Sequence, residues 1–70
     1  MERVLYSVVP EGSHWSVHVL GAALTRYPSK LAALLAADAM AQMGNSHTGT
    51  PTGVEVRMLC GDAVLSSCYG

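Results

Sequence analysis

His14 and His18 have the four-residue spacing that zinc sites use on helices. The residues between them alternate, with Trp15 and Val17 on the apolar side, which predicts a β-strand over residues 14–20. Four residues of strand span about 13 Å, too far for two imidazoles to bind one Zn²⁺ at about 2.0–2.1 Å each. We therefore expect solvent-facing strand histidines and no metal site.

The two cysteines, Cys60 and Cys68, could form a disulfide or supply a nucleophile. A two-residue hairpin turn at residues 61–62 would place Cys60 opposite Ala63. The same ladder places Cys68 opposite Glu55, at the other end of the pair of strands. A disulfide needs Cα atoms usually within about 6.8 Å, so we expect two free thiols, buried or half-buried and inert.

Two further patterns could support catalysis or phosphate binding. A cysteine paired with His47 or His18 would need a base and a third group to orient it, and no such arrangement is visible. The Gly-Thr-Pro-Thr-Gly run at 49–53 precedes a strand, not a helix, and no lysine follows it, so it lacks the features of a phosphate loop. We expect no enzyme, no catalytic residue and no cofactor.

Length and composition restrict the classes of protein that remain. The chain has 70 residues, predicting a single domain over 1–70, and its charged fraction is 13% against about 25% in an average domain. The net charge is −1 and the four fixed cations are scattered, so nucleic acid is not an expected partner. We find neither a secretory signal nor roughly 20 consecutive apolar residues, so we expect a cytoplasmic protein with no membrane contact.

The elements that position these residues centre on a helix from Ser29 to Gly44. Ser29 is a suitable N-cap and Gly44 a suitable left-handed C′ residue. A stripe at helical spacing should dock on a sheet: Ala33, Leu34, Ala37, Met40 and Ala41. The opposite side carries a smaller apolar spot with two polar residues: Leu31, Leu35, Asp38 and Gln42.

The segments before the helix predict β-structure. Residues 3–9 form a strand, residues 10–13 a turn and residues 14–20 the returning strand, with Val8 opposite Trp15. Trp15 is expected to anchor the core against the helix. Residues 22–27 form a short third strand or an extended connection.

After the helix, residues 45–53 read as a mobile surface loop. A strand follows over residues 54–60, with Val56 and Met58 pointing inward, and an edge strand over residues 63–68 closes the chain. The predicted fold class is α+β: an antiparallel sheet of three to five strands with one helix packed on one face, in the order β-β-(β)-α-β-β.

The chain contains four short motifs: Val8-Val9-Pro10, Trp15-Ser16-Val17, Ser29-Lys30 followed by the alanine stripe, and Ser67-Cys68-Tyr69-Gly70. Together they resemble the motifs of the bacterial domain-of-unknown-function family 2188. The chain departs from the family in its nearly uncharged helix, its longer 45–53 loop and the cysteine inside the terminal Ser-Tyr-Gly. The resemblance implies the same β-β-(β)-α-β-β domain and no established activity.

The apolar spot on the outer side of the helix gives the leading functional hypothesis. We expect a non-enzymatic interaction module that forms a weak homodimer or binds another protein through Leu31, Leu35, Asp38 and Gln42. The alternative is a weak nucleic-acid-binding domain, by analogy with other small helix-on-sheet folds.

Overall fold

The computed structural model describes residues 2–70 as five strands and one helix. The elements are β1 Val4–Glu11, β2 His14–Val19, β3 Ala22–Tyr27, α1 Lys30–Thr48, β4 Thr52–Arg57 and β5 Ala63–Tyr69. This confirms the α+β class and the single helix packed on one sheet. It also establishes residues 22–27 as a strand.

The sheet is mixed, so the prediction of a purely antiparallel sheet is wrong. The strand order is β3-β2-β1-β4-β5, and β1 pairs in parallel with β4 while the other neighbours are antiparallel. The cause is the crossover through α1, which returns the chain from the β3 edge so that β4 enters beside β1 in the same direction. Local alternation along a strand does not specify this pairing.

The β1–β2 hairpin turns at two residues, Gly12 and Ser13, rather than at the four predicted. Val8 therefore lies opposite Val17, not Trp15. The register differs by two positions, so each strand keeps its predicted apolar face toward the helix. Pro10 continues β1 because the pairing with β4 ends at Val8, and its missing N–H breaks no ladder bond on that side.

Helix α1 runs past Gly44 and ends at Thr48, with Gly49 as the left-handed cap at φ 73°. Gly44 serves packing instead: a Cβ there would lie 3.2 Å from Tyr6 Oη. The segment predicted as a mobile loop is largely ordered, since residues 45–48 are helical and Thr52 and Gly53 begin β4. Only residues 49–51 connect the two elements.

The core lies between one face of the sheet and the alanine stripe of α1. The fully buried apolar residues are Val8, Val17, Val54, Ala33, Ala37 and Ala41, and Val56 is 6% exposed. Leu34 and Met40 pack against this cluster while partly buried, which confirms the predicted stripe. Alanines at the contact let the helix backbone approach the sheet closely.

The β4–β5 hairpin has a five-residue loop, residues 58–62, instead of the predicted two-residue turn. The backbone N–H of Met58 donates to the carbonyl of Asp62 at 2.7 Å, and Gly61 takes φ 99°. Because β4 stops at Arg57, Met58 lies in the loop and is 39% exposed, so its predicted inward placement is wrong.

A helix needs about 20 predominantly apolar residues to cross a membrane. Within residues 2–70, no helix is both long enough and apolar enough to do so.

Candidate functional site

Asp38 fixes which side of α1 faces the β5 edge of the sheet. Its Oδ1 accepts from Ser67 Oγ at 2.8 Å and from Tyr69 Oη at 2.7 Å. Both donors lie on β5, so this side of the helix is turned toward that strand, and the prediction that Asp38 points away from the sheet is wrong. The bond to Asp38 is the main cause of a raised pKa for Tyr69, because the phenol gives up its proton less readily beside a carboxylate that accepts from it.

Leu31 and Leu35 share that side of the helix but make no comparable contact. They precede Asp38 by seven and three residues, which places all three on one stripe. Leu31 is 63% exposed and Leu35 is 62% exposed. Gln42 continues the stripe and is exposed as well. Of the four residues predicted as an interface, Asp38 is therefore bonded within the chain, and both leucines present apolar surface.

The strand beside these leucines is also apolar and uncovered. Val64 pairs with the inward-facing Val56, so its side chain is on the helix side of β5, yet it is 55% exposed. Val64 precedes Ser67 by about 10 Å of strand, and Leu31 precedes Asp38 by about 10 Å of helix. Ser67 is bonded to Asp38, and the hairpin tip that precedes β5 shares a concavity with Lys30 at the start of α1, so Val64 lies at the same end of the sheet as Leu31.

The loop after β4 completes this surface. Met58 is 39% exposed and Leu59 is 87% exposed, at the tip of the β4–β5 hairpin. We use the name apolar flank for Leu31, Leu35, Met58, Leu59 and Val64. It joins the first half of α1 to the tip of one hairpin, and Lys30 lies where the two meet.

A concavity of about 410 Å³ opens at one end of the apolar flank, lined by Trp15, Lys30, Met58, Leu59 and Cys60. Trp15 packs against the core but is only half-buried, so the prediction that it anchors the core is confirmed only in part. The Lys30 ammonium lies 5.9 Å from the centroid of that ring, within the range of a cation–π contact. The walls are apolar and the single charged lining group is positive.

A second concavity, of about 300 Å³, lies on the opposite face of the sheet, where Ser7, Val9, His18 and Arg57 meet the Leu20–Gly21 turn. Ser7 Oγ donates to Glu55 Oε1 at 2.9 Å. Nε2 of His18 is buried without a hydrogen-bond partner in the described residues. His18 lies on the face of the sheet away from the helix, as predicted, but it is half-buried there, whereas His14 is exposed.

The cysteines and the histidine considered for nucleophilic catalysis do not lie together. Cys60 is in the hairpin tip beside the start of α1, whereas His47 is in the last turn of that helix. Cys68 pairs with Gly53 instead of Glu55. Both cysteines are free and exposed, so their predicted burial is wrong. Within residues 2–70 no group of three or more His, Cys, Asp or Glu side chains could hold a metal ion.

Sequence reasoning found the leucines but missed Val64, Met58 and Leu59. The signal was present in the run Met58-Leu59-Cys60, which is apolar and directly precedes a glycine. Alternation along residues 54–60 predicts that this run ends a strand. The five-residue loop instead places it at the tip of the β4–β5 hairpin.

The chain was compared with protein-family models, with curated proteins and with solved structures, and none of the three comparisons gives a match. The resemblance to family 2188 accordingly stays a prediction.

Proposed function

We propose that this protein is a non-enzymatic interaction module that forms a weak homodimer through its apolar flank. One observation carries the proposal. Five large apolar side chains, each between 39% and 87% exposed, lie on the first half of α1 and on the β4–β5 hairpin, and the tip of that hairpin shares a concavity with Lys30 at the start of α1. Contiguous exposed apolar patches of this kind mark interaction sites in folded proteins.

The composition supports the same conclusion. With 13% charged residues, the chain has few groups that could surround the apolar flank and keep two copies apart. Full burial of a leucine side chain is worth roughly 1.5–3 kcal/mol, and part of that gain offsets the entropy lost on association. The difference between the free energy gained by burial and the entropy lost on association favours a dimer that forms at micromolar concentration, not an obligate one.

The proposal has three further parts: a preferred partner, an alternative partner and a location. A second copy is the simplest occupant, because a twofold axis covers one self-complementary patch on both subunits. Another protein with an apolar helix or hairpin is the alternative partner. We place the protein in the cytoplasm, where its exposed thiols stay reduced.

Nucleic acid has less support as a partner. The fixed cations lie on separate elements: Arg3 precedes β1 and donates to the Thr52 carbonyl at 2.7 Å, Arg26 is in β3, Lys30 begins α1 and Arg57 ends β4. They do not form the basic stripe that phosphate binding requires.

Sedimentation velocity from low to high micromolar concentration in reducing buffer tests the proposal. We expect the parent chain to shift from monomer toward dimer as its concentration rises. The double variant Leu31→Glu with Leu35→Lys should stay monomeric and keep its circular dichroism spectrum, because both side chains are exposed.

Leu24→Glu is the matched control. Leu24 is 49% exposed but lies on β3, at the edge of the sheet remote from β5. This variant should dimerise like the parent. A parent that remains monomeric at high micromolar concentration would contradict the proposal.

A further inference from the structure

The hairpin tip carries the two chemical groups that the concavity beside it would bind. The concavity has apolar walls and one ammonium, from Lys30, so it suits a large apolar side chain next to a carboxylate. The tip presents Leu59, which is 87% exposed, and the exposed Asp62 three residues later. One copy of the chain therefore carries both a site and a fitting occupant.

The tip has a closed conformation that holds these groups together. Besides the bond from Met58 to the Asp62 carbonyl, the N–H of Gly61 donates to the Met58 carbonyl at 2.9 Å. A loop that is already ordered loses less conformational entropy on binding than a flexible one. Leu59 and Asp62 are thus offered as a fixed pair.

Leu59 also lines the concavity of its own chain. In a symmetric pair, each hairpin tip would therefore lie next to the concavity of the other copy. We propose that, in the homodimer, the two hairpin tips meet around the twofold axis. Leu59 of each copy packs against Trp15 of the other, and each Asp62 carboxylate pairs with the Lys30 ammonium of the other copy. In a twofold interface every such contact occurs twice, so two opposite-charge pairs form and no like charges face each other.

This inference rests on the proposed homodimer and adds its geometry. Charge exchange tests it. Lys30→Glu and Asp62→Lys should each weaken dimerisation about tenfold, because each places two like-charge pairs in the interface. The double variant, with both changes, should dimerise within about threefold of the parent.

The single variants are expected to fold. Lys30 and Asp62 are exposed, and a glutamate in the first turn of α1 interacts favourably with the helix dipole. Thermal unfolding of each variant at low concentration, where the chain is monomeric, checks this directly.

Cross-linking gives an independent measurement. With Cys68→Ser, the remaining Cys60 should be joined between copies by a short bis-maleimide reagent, because both Cys60 thiols lie beside the axis. With Cys60→Ser, the remaining Cys68 should give little cross-linked dimer, since Cys68 pairs with Gly53, away from the tip.

The outcomes separate this inference from the proposed function. If the parent dimerises but the double charge variant is no better than the singles, or if Cys68 cross-links more than Cys60, the tip arrangement is wrong and the homodimer stands. If the parent is monomeric, both the homodimer and the tip arrangement are wrong.

Discussion

The two halves of α1 are attached to the sheet in different ways. In the second half, side-chain hydrogen bonds link the helix to the segment that follows it: Thr52 Oγ1 donates to the Ala41 carbonyl at 2.6 Å, and Asn45 Nδ2 donates to the Thr50 carbonyl at 3.0 Å. In the first half, the Ser29 cap is internal to the helix start, and the helix is attached to the core through the apolar packing of Ala33, Leu34 and Ala37.

The difference shows how a small chain can be stable and still keep an apolar surface free. The second half and Asp38 hold the helix in place. The first half can therefore leave Leu31 and Leu35 unpacked without losing its position. We expect substitutions to separate these two roles.

The largest effect should come from enlarging the alanine stripe. Ala37 is fully buried, so Ala37→Leu forces the helix away from the sheet and should lower the free energy of unfolding by about 2–3 kcal/mol. Ala39→Leu is the control, because Ala39 is exposed on the same helix and should change stability by less than about 0.5 kcal/mol. Urea denaturation measures both. Equal midpoints for the two variants would mean that the helix does not dock through this stripe.

Truncating Trp15 should have a smaller effect than full burial would give. A buried Trp→Ala change costs about 3–5 kcal/mol, and half-burial reduces the expected loss to about 2 kcal/mol. The structure thus revises the sequence-based view of Trp15 as a core residue. Chemical denaturation of Trp15→Ala, followed by circular dichroism, gives the value. A loss below about 0.5 kcal/mol would place Trp15 outside the core altogether.

The hydrogen bond from Thr52 attaches the second half of α1, so removing it should lower the stability of the fold. Thr52→Val keeps the shape of a side chain that is 2% exposed but removes the donor to Ala41, at a cost of about 1 kcal/mol. Thr25→Val, at an exposed position in β3, should be neutral within about 0.5 kcal/mol. Thermal unfolding of the pair is sufficient, and identical melting temperatures would show that the bond adds nothing.

The smallest expected effect is a change in the pKa of Tyr69, which bonds to Asp38 near the middle of α1. The pKa of Tyr69 is raised above its ordinary value of 10.0 by its bond to Asp38, so the bond stabilises the fold below that value and the contribution is lost as pH rises through the raised pKa. Asp38→Asn should bring the pKa of Tyr69 back toward the ordinary value. Tyrosinate absorbance during alkaline titration, with Tyr69→Phe to identify the component, measures the change. An unchanged titration in Asp38→Asn would rule out the coupling.

Sequence patterns predicted the features that depend on local periodicity. The spacing of Ala33, Ala37 and Ala41 predicted the docking face, and the alternation around Val17 predicted the inward face of β2. Both follow from how often a side chain returns to one side of a helix or strand.

The features that sequence reasoning missed depend on contacts between distant segments. Gly44 has the residue type of a helix stop, but the helix continues through it to Thr48, and Tyr6 from β1 lies against it. The five-residue β4–β5 loop, and with it the exposed Leu59, follows from the length over which β4 stays paired. Neither is encoded in the spacing of neighbouring residues.

The parallel pairing of β1 with β4 has a consequence for how the chain folds. Val4 lies opposite Thr52, so the central ladder joins positions 48 residues apart, with two strands and the helix between them. Contacts this distant carry a large loop-closure cost and slow folding relative to chains rich in local contacts. The β1–β2–β3 meander can form early, but the inner edge of β1 stays unpaired until β4 arrives. During synthesis, the middle of the sheet therefore cannot close before β4 has been made.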